Sequence, residues 1–249
     1  MSLRGGLAAE AGTVTFCYNN WPPYTIETDG EAAGLSIGIL REASARAGLK
    51  PRFVNLPWKR CLSAVESGEI DAVVDAAERP EFAHGDISFT YYTNTFWVRR
   101  DEETTAVDKA TLAGRRLGLV AGYVYGDALE RLFADSGVQI DLSVDDEMLV
   151  RKLAFGRTDI IVADFVSTHK YAAAKNLDLR PLQPAQSVDP LYPSFNRARH
   201  ATMQALDDGL RSMCADGTVH RAYIAEIGYG PEEIFGETLC RTLNDVGQR

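Results

Sequence analysis

Twice along the chain a run with helical period stops at a glycine, and three residues later an aspartate opens a short apolar strand. The first instance is Gly68-Glu69-Ile70-Asp71-Ala72-Val73-Val74 and the second is Gly156-Arg157-Thr158-Asp159-Ile160-Ile161-Val162. Each strand ends near a further acid, Asp75 in the first and Asp164 in the second. Apolar runs this short suit strands covered on both faces, as in parallel sheets flanked by helices. Two copies of one plan imply an α/β chain of two similar lobes. Ligands of such sheets bind outside the carboxyl ends of the strands. Lobes that face each other therefore bring both strand ends to one cleft.

The rest of the chain fits that plan. Thr13 to Tyr18 is strand-like and leads into the stiff aromatic loop Trp21-Pro22-Pro23-Tyr24. A helix over Ser36–Ala47, with Ile37, Leu40, Ala43 and Ala47 on one face, precedes a strand at Arg52–Leu56. Trp58, Cys61, Leu62 and Val65 then recur at i, i+3, i+4 and i+7, with Pro57 at the first helical position and Gly68 at the stop. The strand Ile70–Val74 gives way to the polar run Asp75, Glu78, Arg79. Ile87 to Arg99 is β-prone and long enough to leave one lobe and enter another. The second lobe restarts with Leu117–Val120, the bend Ala121 to Gly126 and a helix over Asp127–Ser136. A strand (Val138–Leu142), a helix from Asp146 capped by Asp145, the strand Asp159–Ala163 and a helix over Phe165–Ala174 follow. Leu177 to Leu191 carries three prolines and reads as a return crossing; helices over Ala201–Ala215 and from Thr218, its cap, to Ile227 close the pattern. The expected division is residues 13–95 with 189–249 as lobe 1, 96–188 as an inserted lobe 2, and 1–12 as a leader.

A net charge of -9 leaves no basic face for nucleic acid. It also disfavours a polybasic membrane contact. No apolar run reaches the length of a membrane-spanning helix, and the N-terminus lacks the apolar core of a secretory signal. Either the chain is cytoplasmic or a signal has been removed. Cys17 and Cys61 read as simple core residues. Cys214 and Cys240 would join only where the compartment oxidises. The histidines His84, His169, His200 and His220 are scattered, so no metal site and no cofactor is expected.

Taken in order, Trp21-Pro22-Pro23-Tyr24, Gly34, Leu56-Pro57-Trp58-Lys59-Arg60, Ser67-Gly68 with Asp71-Ala72, Glu78-Arg79, Phe89 with Tyr91-Tyr92, Leu119 to Gly122, Gly156-Arg157 through Asp164, and Asp216-Gly217-Thr218 form a recognisable series. The chain resembles the extracytoplasmic solute-binding proteins of amino-acid-type ABC importers, the family 3 proteins of the type 2 periplasmic binding fold. The resemblance implies two lobes, each a sheet flanked by helices, joined by two hinge crossings. It implies that Arg79 grips a ligand carboxylate, for which a guanidinium fork is suited. Tyr24 and Trp21 would pack on the ligand. Backbone N–H groups of Gly122, Tyr123 and Val124, at a helix start, would favour an anion. Asp164 would take the ligand's ammonium group, although it reads equally as the cap of the helix at Phe165. Asp75 stands at the same strand end as Arg79, and Arg60 would reach the cleft from its helix. The segment before Arg79 is only Asp75-Ala76-Ala77, without the hydroxyls common in the family, and Tyr123 stands where the family carries Ser or Thr. These departures imply a larger or more aromatic ligand, or one with a different polar pattern.

The expected activity is binding a small polar solute, an amino acid or related carboxylate, and closing on it for delivery to an ABC permease in the inner membrane. That places the chain in the periplasm with neither nucleic acid nor membrane insertion. Two alternatives share the fold: a periplasmic enzyme similar to cyclohexadienyl dehydratase, with Asp75, Glu78 or Asp164 as the acid or base, and a ligand-sensing domain. No serine or cysteine nucleophile with a histidine partner is visible.

Overall fold

The first three long strands assemble a parallel unit. β1 (Thr13–Tyr18) is followed by a small hairpin of β2 (Ile26–Thr28) and β3 (Glu31–Ala33), then α1 (Leu35–Arg46), β4 (Lys50–Asn55), α2 (Trp58–Glu66) and β5 (Ala72–Ala76). This computed structural model describes residues 12–235 and 240. β1 pairs in parallel with β4 on one side and β5 on the other. Gly34 begins α1 at φ 101°, where a Cβ would lie 2.6 Å from the Tyr24 carbonyl oxygen. Only glycine tolerates both the backbone and the approach. Pro57 occupies the position just before α2, with φ -53° and ψ 137°, one residue earlier than the pattern suggested.

β5 starts two residues later than the apolar run implied because Asp71 is spent on a turn. Its backbone N–H donates to the Thr15 carbonyl at 3.1 Å, while Thr15 N–H donates to Asp71 Oδ2 at 2.8 Å. The second copy repeats this. Asp159 N–H donates to the Arg116 carbonyl at 2.9 Å, and Arg116 N–H donates to Asp159 Oδ2 at 2.9 Å. The repeated aspartate is therefore a staple between neighbouring parallel strands.

Short β6 (Ala83–His84) and long β7 (Thr90–Arg99) lead to α3 (Lys109–Leu112), β8 (Arg116–Val120), α4 (Asp127–Ser136), β9 (Gln139–Ser143), α5 (Asp146–Ala154), β10 (Ile160–Ala163) and α6 (Phe165–Ala174). Asp145 caps α5 by accepting Met148 N–H. β11 (Leu179–Phe195) then runs back, and a 3-10 turn, α7 (His200–Ala215), α8 (Thr218–Ile227) and α9 (Pro231–Phe235) follow. The proline-bearing segment thus forms one long strand. Pro184 falls in a slip in the pairing with β7 between Leu182 and Ser187, whereas Pro181 and Pro190 stand in register opposite Trp97 and Tyr91. The strand order is β4-β1-β5-β11-β7-β10-β8-β9. β7 and β11 pair antiparallel and cross from one half of the sheet to the other. α8 starts at Thr218 behind a left-handed Gly217, and Thr218 is not its cap; Asp216 accepts both its N–H and its hydroxyl.

Each half has its own buried core. Phe16, Ile37, Leu40 and Leu206 belong to one cluster on the β1 side, and Phe96, Leu117, Phe133 and Ile160 to one on the β8 side. Each such side chain contributes roughly 1.5–3 kcal/mol by leaving water. Tyr123 packs against all four buried clusters found among the described residues, which puts it at the junction. Cys17 and Cys61 are not plain core thiols: they form a disulfide tying β1 to α2, with Cα atoms 5.6 Å apart. A second disulfide joins Cys214 to Cys240. No helix among the described residues is long and apolar enough to cross a membrane.

Candidate functional site

A cavity of about 600 Å³, mouth included, opens where the two halves meet, and Trp21, Trp58, Asp75, Arg79, Tyr92 and Tyr123 line it. Its position follows from the sheet. β5 delivers Asp75 at its carboxyl end, the loop after β5 delivers Arg79, and the bend after β8 delivers Tyr123 from the opposite side.

Aromatic rings form most of the wall. Trp21 stacks on Tyr24 at 4.2 Å between centroids and on Tyr92 at 5.8 Å. Tyr24 is fully buried and is not among the lining residues; it backs Trp21 from beneath. Trp58 and Tyr123 meet edge to face at 5.6 Å across the cleft, as do Tyr92 and Tyr123. Such contacts hold the rings in fixed orientations.

Two charged groups stand among them. Arg79 donates through Nη2 to the Gly122 carbonyl, lies 3.6 Å from Glu81 through Nη1 and 6.0 Å over the Trp58 ring, and its buried Nε has no partner. Burial lowers its pKa, and Glu81 acts against that. Asp75 Oδ1 accepts the Thr90 hydroxyl at 2.8 Å, while its buried Oδ2 has no partner. Burial pushes the Asp75 carboxyl up to about 6, against hydrogen bonds from Ser36 and Thr90. Arg79 and Asp75, which both line this apolar-walled space, thus each carry a buried polar atom without a partner, and such atoms are costly to leave unpaired.

The Gly122 loop differs from the expected anion cradle. Its carbonyl, not its N–H, faces the other lobe, accepting both Arg79 and the Trp58 indole N–H at 3.1 Å. Tyr123 N–H donates back to Val120 at 3.3 Å, and α4 starts only at Asp127. Tyr123 and half-exposed Val124 line the cavity with side chains. Asp164 is fully buried and caps α6: it accepts Ser167 N–H, Thr93 N–H and the Thr93 hydroxyl at 2.8, 3.0 and 2.7 Å. It is not among the lining residues, and neither is exposed Arg60. Tyr92, which the sequence offered only as a mark of the family, and Asp189, which it did not single out, also line the cavity. They are register partners on β7 and β11, so only the strand pairing reveals them. Among the described residues no group of histidine, cysteine or acidic side chains is arranged to hold a metal ion.

The model of bacterial extracellular solute-binding proteins, family 3, matches residues 14–225. The chain belongs to that family. The probable ABC transporter extracellular-binding protein YckB of Bacillus subtilis (strain 168) is 28% identical over 59% of this chain and 52% of its own length. A probable histidine-binding protein of Campylobacter jejuni is 22% identical over 64% of this chain and 62% of its own length. The chain thus spans about half to three fifths of the curated relatives it matches. A solved structure described as an ancestral arginine-binding protein bound to arginine shares the fold, with TM-score 0.78 at 18% identity over 88% of this chain and 100% of that one.

Proposed function

We propose that this family 3 protein binds a small zwitterionic solute, an amino acid or a related carboxylate, between its lobes and hands it to an ABC permease in the inner membrane. The observation that carries this reading is that Arg79 and Asp75, opposite in charge and each with an unpartnered buried polar atom, line one cavity walled by aromatic rings. The guanidinium suits a carboxylate and Asp75 suits an ammonium group. Asp75 replaces Asp164 in that role because Asp164 already accepts three hydrogen bonds. The rings favour a ligand with a flat or apolar body. Relatives named for histidine and arginine are in keeping with a ligand of that class.

The lobes of the proposal are residues 13–95 with 189–249, and 96–188, hinged at β7 and β11. Two disulfides are in keeping with an oxidising compartment, the periplasm. The test is a thermal-melt screen of the protein against the common amino acids, followed by titration calorimetry on the hits and mass spectrometry for product. A hit that is bound and recovered unchanged supports the reading. A hit that is converted makes the protein an enzyme instead.

A further inference from the structure

A second cavity, with about 770 Å³ of empty space including its mouth, lies beside the first and is also walled by both lobes. Neighbouring residues of one loop serve the two: Trp21 lines the first, and Asn20 and Pro22 line the second. Tyr123 separates them. It lines the first cavity, and its hydroxyl donates to Oδ2 of Asp146, which lines the second, at 2.6 Å.

The charge in this second space is one-sided. Glu27 comes from lobe 1, and Asp145, Asp146 and Glu147 from the first turn of α5; no lysine, arginine or histidine lines it. The ends of α5 and α6 point here, and each helix start carries roughly half a positive charge. Burial pushes the Asp146 carboxyl up to about 7, so at neutral pH it carries part of a charge; the two helix starts offset about one charge more, and with Glu27, Asp145 and Glu147 in the wall the space stays negative. Part of the acidity is used locally: Asp145 accepts Met148 N–H at 2.7 Å, and Glu147 accepts the Tyr171 hydroxyl at 3.1 Å.

Two acceptors are not used. Asp146 is 6% exposed and its Oδ1 has no partner; Thr168 is 1% exposed and its hydroxyl oxygen has none either. Both line the cavity. The remaining wall includes Pro22, Ile26, Val150 and Tyr171, an apolar and aromatic surface that a bare metal ion does not use. Among the described residues no acidic or histidine group is arranged for a metal. The fitting occupant has a donor-rich positive head and a hydrocarbon body.

We propose that this second cavity is a binding site for an organic cation, a primary ammonium or a guanidinium, with Asp146 Oδ1 and Thr168 Oγ1 as its buried acceptors. The site is separate from the Arg79 cleft and goes beyond the solute reading. Because both lobes wall it, an occupant favours the arrangement in which they touch.

The probes are n-butylammonium and methylguanidinium, which carry no carboxylate for Arg79 to hold. Titration calorimetry in an amine-free buffer measures each against the wild type, Asp146→Asn and Thr168→Val, with circular dichroism to check folding. The wild type binds saturably. Asp146→Asn weakens binding by about tenfold or more, the share of one charge-assisted hydrogen bond. Thr168→Val weakens it by a smaller factor and carries the test if Asp146→Asn does not fold. No saturable binding to the wild type, or binding by both cavity variants equal to that of the wild type, overturns the proposal. Amino-acid binding in the main cleft is scored separately, so either idea can fail alone.

Discussion

Arg79 of one lobe donates to the main-chain carbonyl of Gly122 in the other. A group offered as the ligand's anchor is therefore also a bridge between lobes. Its fork has several donors, so it can hold a carboxylate while keeping the carbonyl. Arg79→Ala should weaken solute binding by about tenfold to a hundredfold, the range for hydrogen bonds to charged groups. Arg79→Lys should recover little of it, since an ammonium lacks the planar fork. Calorimetry measures the loss. Scattering should show the radius of gyration of the wild type falling with ligand and that of Arg79→Ala falling less. An alanine variant that binds and contracts normally would remove Arg79 from both roles.

Gly122 sits at φ 87°, and a Cβ there would meet Trp58 Cδ1 and Lys59 Cγ at 3.4 Å. Gly122→Ala should cost about 1 kcal/mol or more through the left-handed backbone. It also crowds the indole that donates to this carbonyl. The melting temperature should fall by about 2–4 °C for a chain of this size. An unchanged melt would mean that the bend relaxes freely.

Asp75 gives a pH signature in the ligand-free protein. Burial raises its carboxyl from the ordinary 3.8 to about 6. A folded pKa above the unfolded one means that the protonated form favours folding. That contribution is whole below about pH 4 and is lost as pH rises through about 6. Asp75→Asn should flatten this limb of the stability profile and raise stability at neutral pH by up to about 3 kcal/mol. Urea unfolding from about pH 4 to 8 provides the measurement. Parallel profiles for wild type and variant would assign the slope to another group.

The two aspartate staples should be separable. Asp71→Ala and Asp159→Ala each leave a strand N–H without its acceptor, at a cost of about 1–3 kcal/mol. Asp71 also pairs with Arg199 at 2.6 Å, and Asp159 with Arg116 at 2.6 Å. Backbone hydrogen exchange should rise around Thr15 in the first variant and around Arg116 in the second. Exchange that rises in both places in either variant would show that the halves do not respond independently.

The frame of the fold was legible because its signals are local. Glycine stops such as Gly137 and helical periods marked α4, α6 and α8 to the residue at most of their ends, and the acidic cap Asp145 marked the start of α5. β11 was harder to see, because prolines ordinarily exclude a strand and only the pairing with β7 reveals the slip that admits Pro184 and the register that holds Pro181 and Pro190. The cleft was partly legible. Arg79, Asp75, Trp21, Tyr123 and Val124 line it, and each carries a sequence mark such as a strand end, a Pro-Pro loop or a glycine bend. Tyr24 and Asp164 carry equally good marks but are used for packing and capping. Which of two neighbouring aromatics faces a cavity depends on how the loop folds over the sheet. The Cys17–Cys61 pairing escaped for the same reason, since 44 residues separate the partners and only the strand-to-helix packing brings them together.

That disulfide bears on the solute cleft. β1 leads directly into the loop that holds Trp21, and α2 opens with Trp58, so the crosslink welds the supports of two facing rings into one rigid jaw. Reduction would free those supports to drift apart while leaving the opposite lobe intact. On the proposed function, solute capture would then weaken in a reducing medium before the protein unfolds.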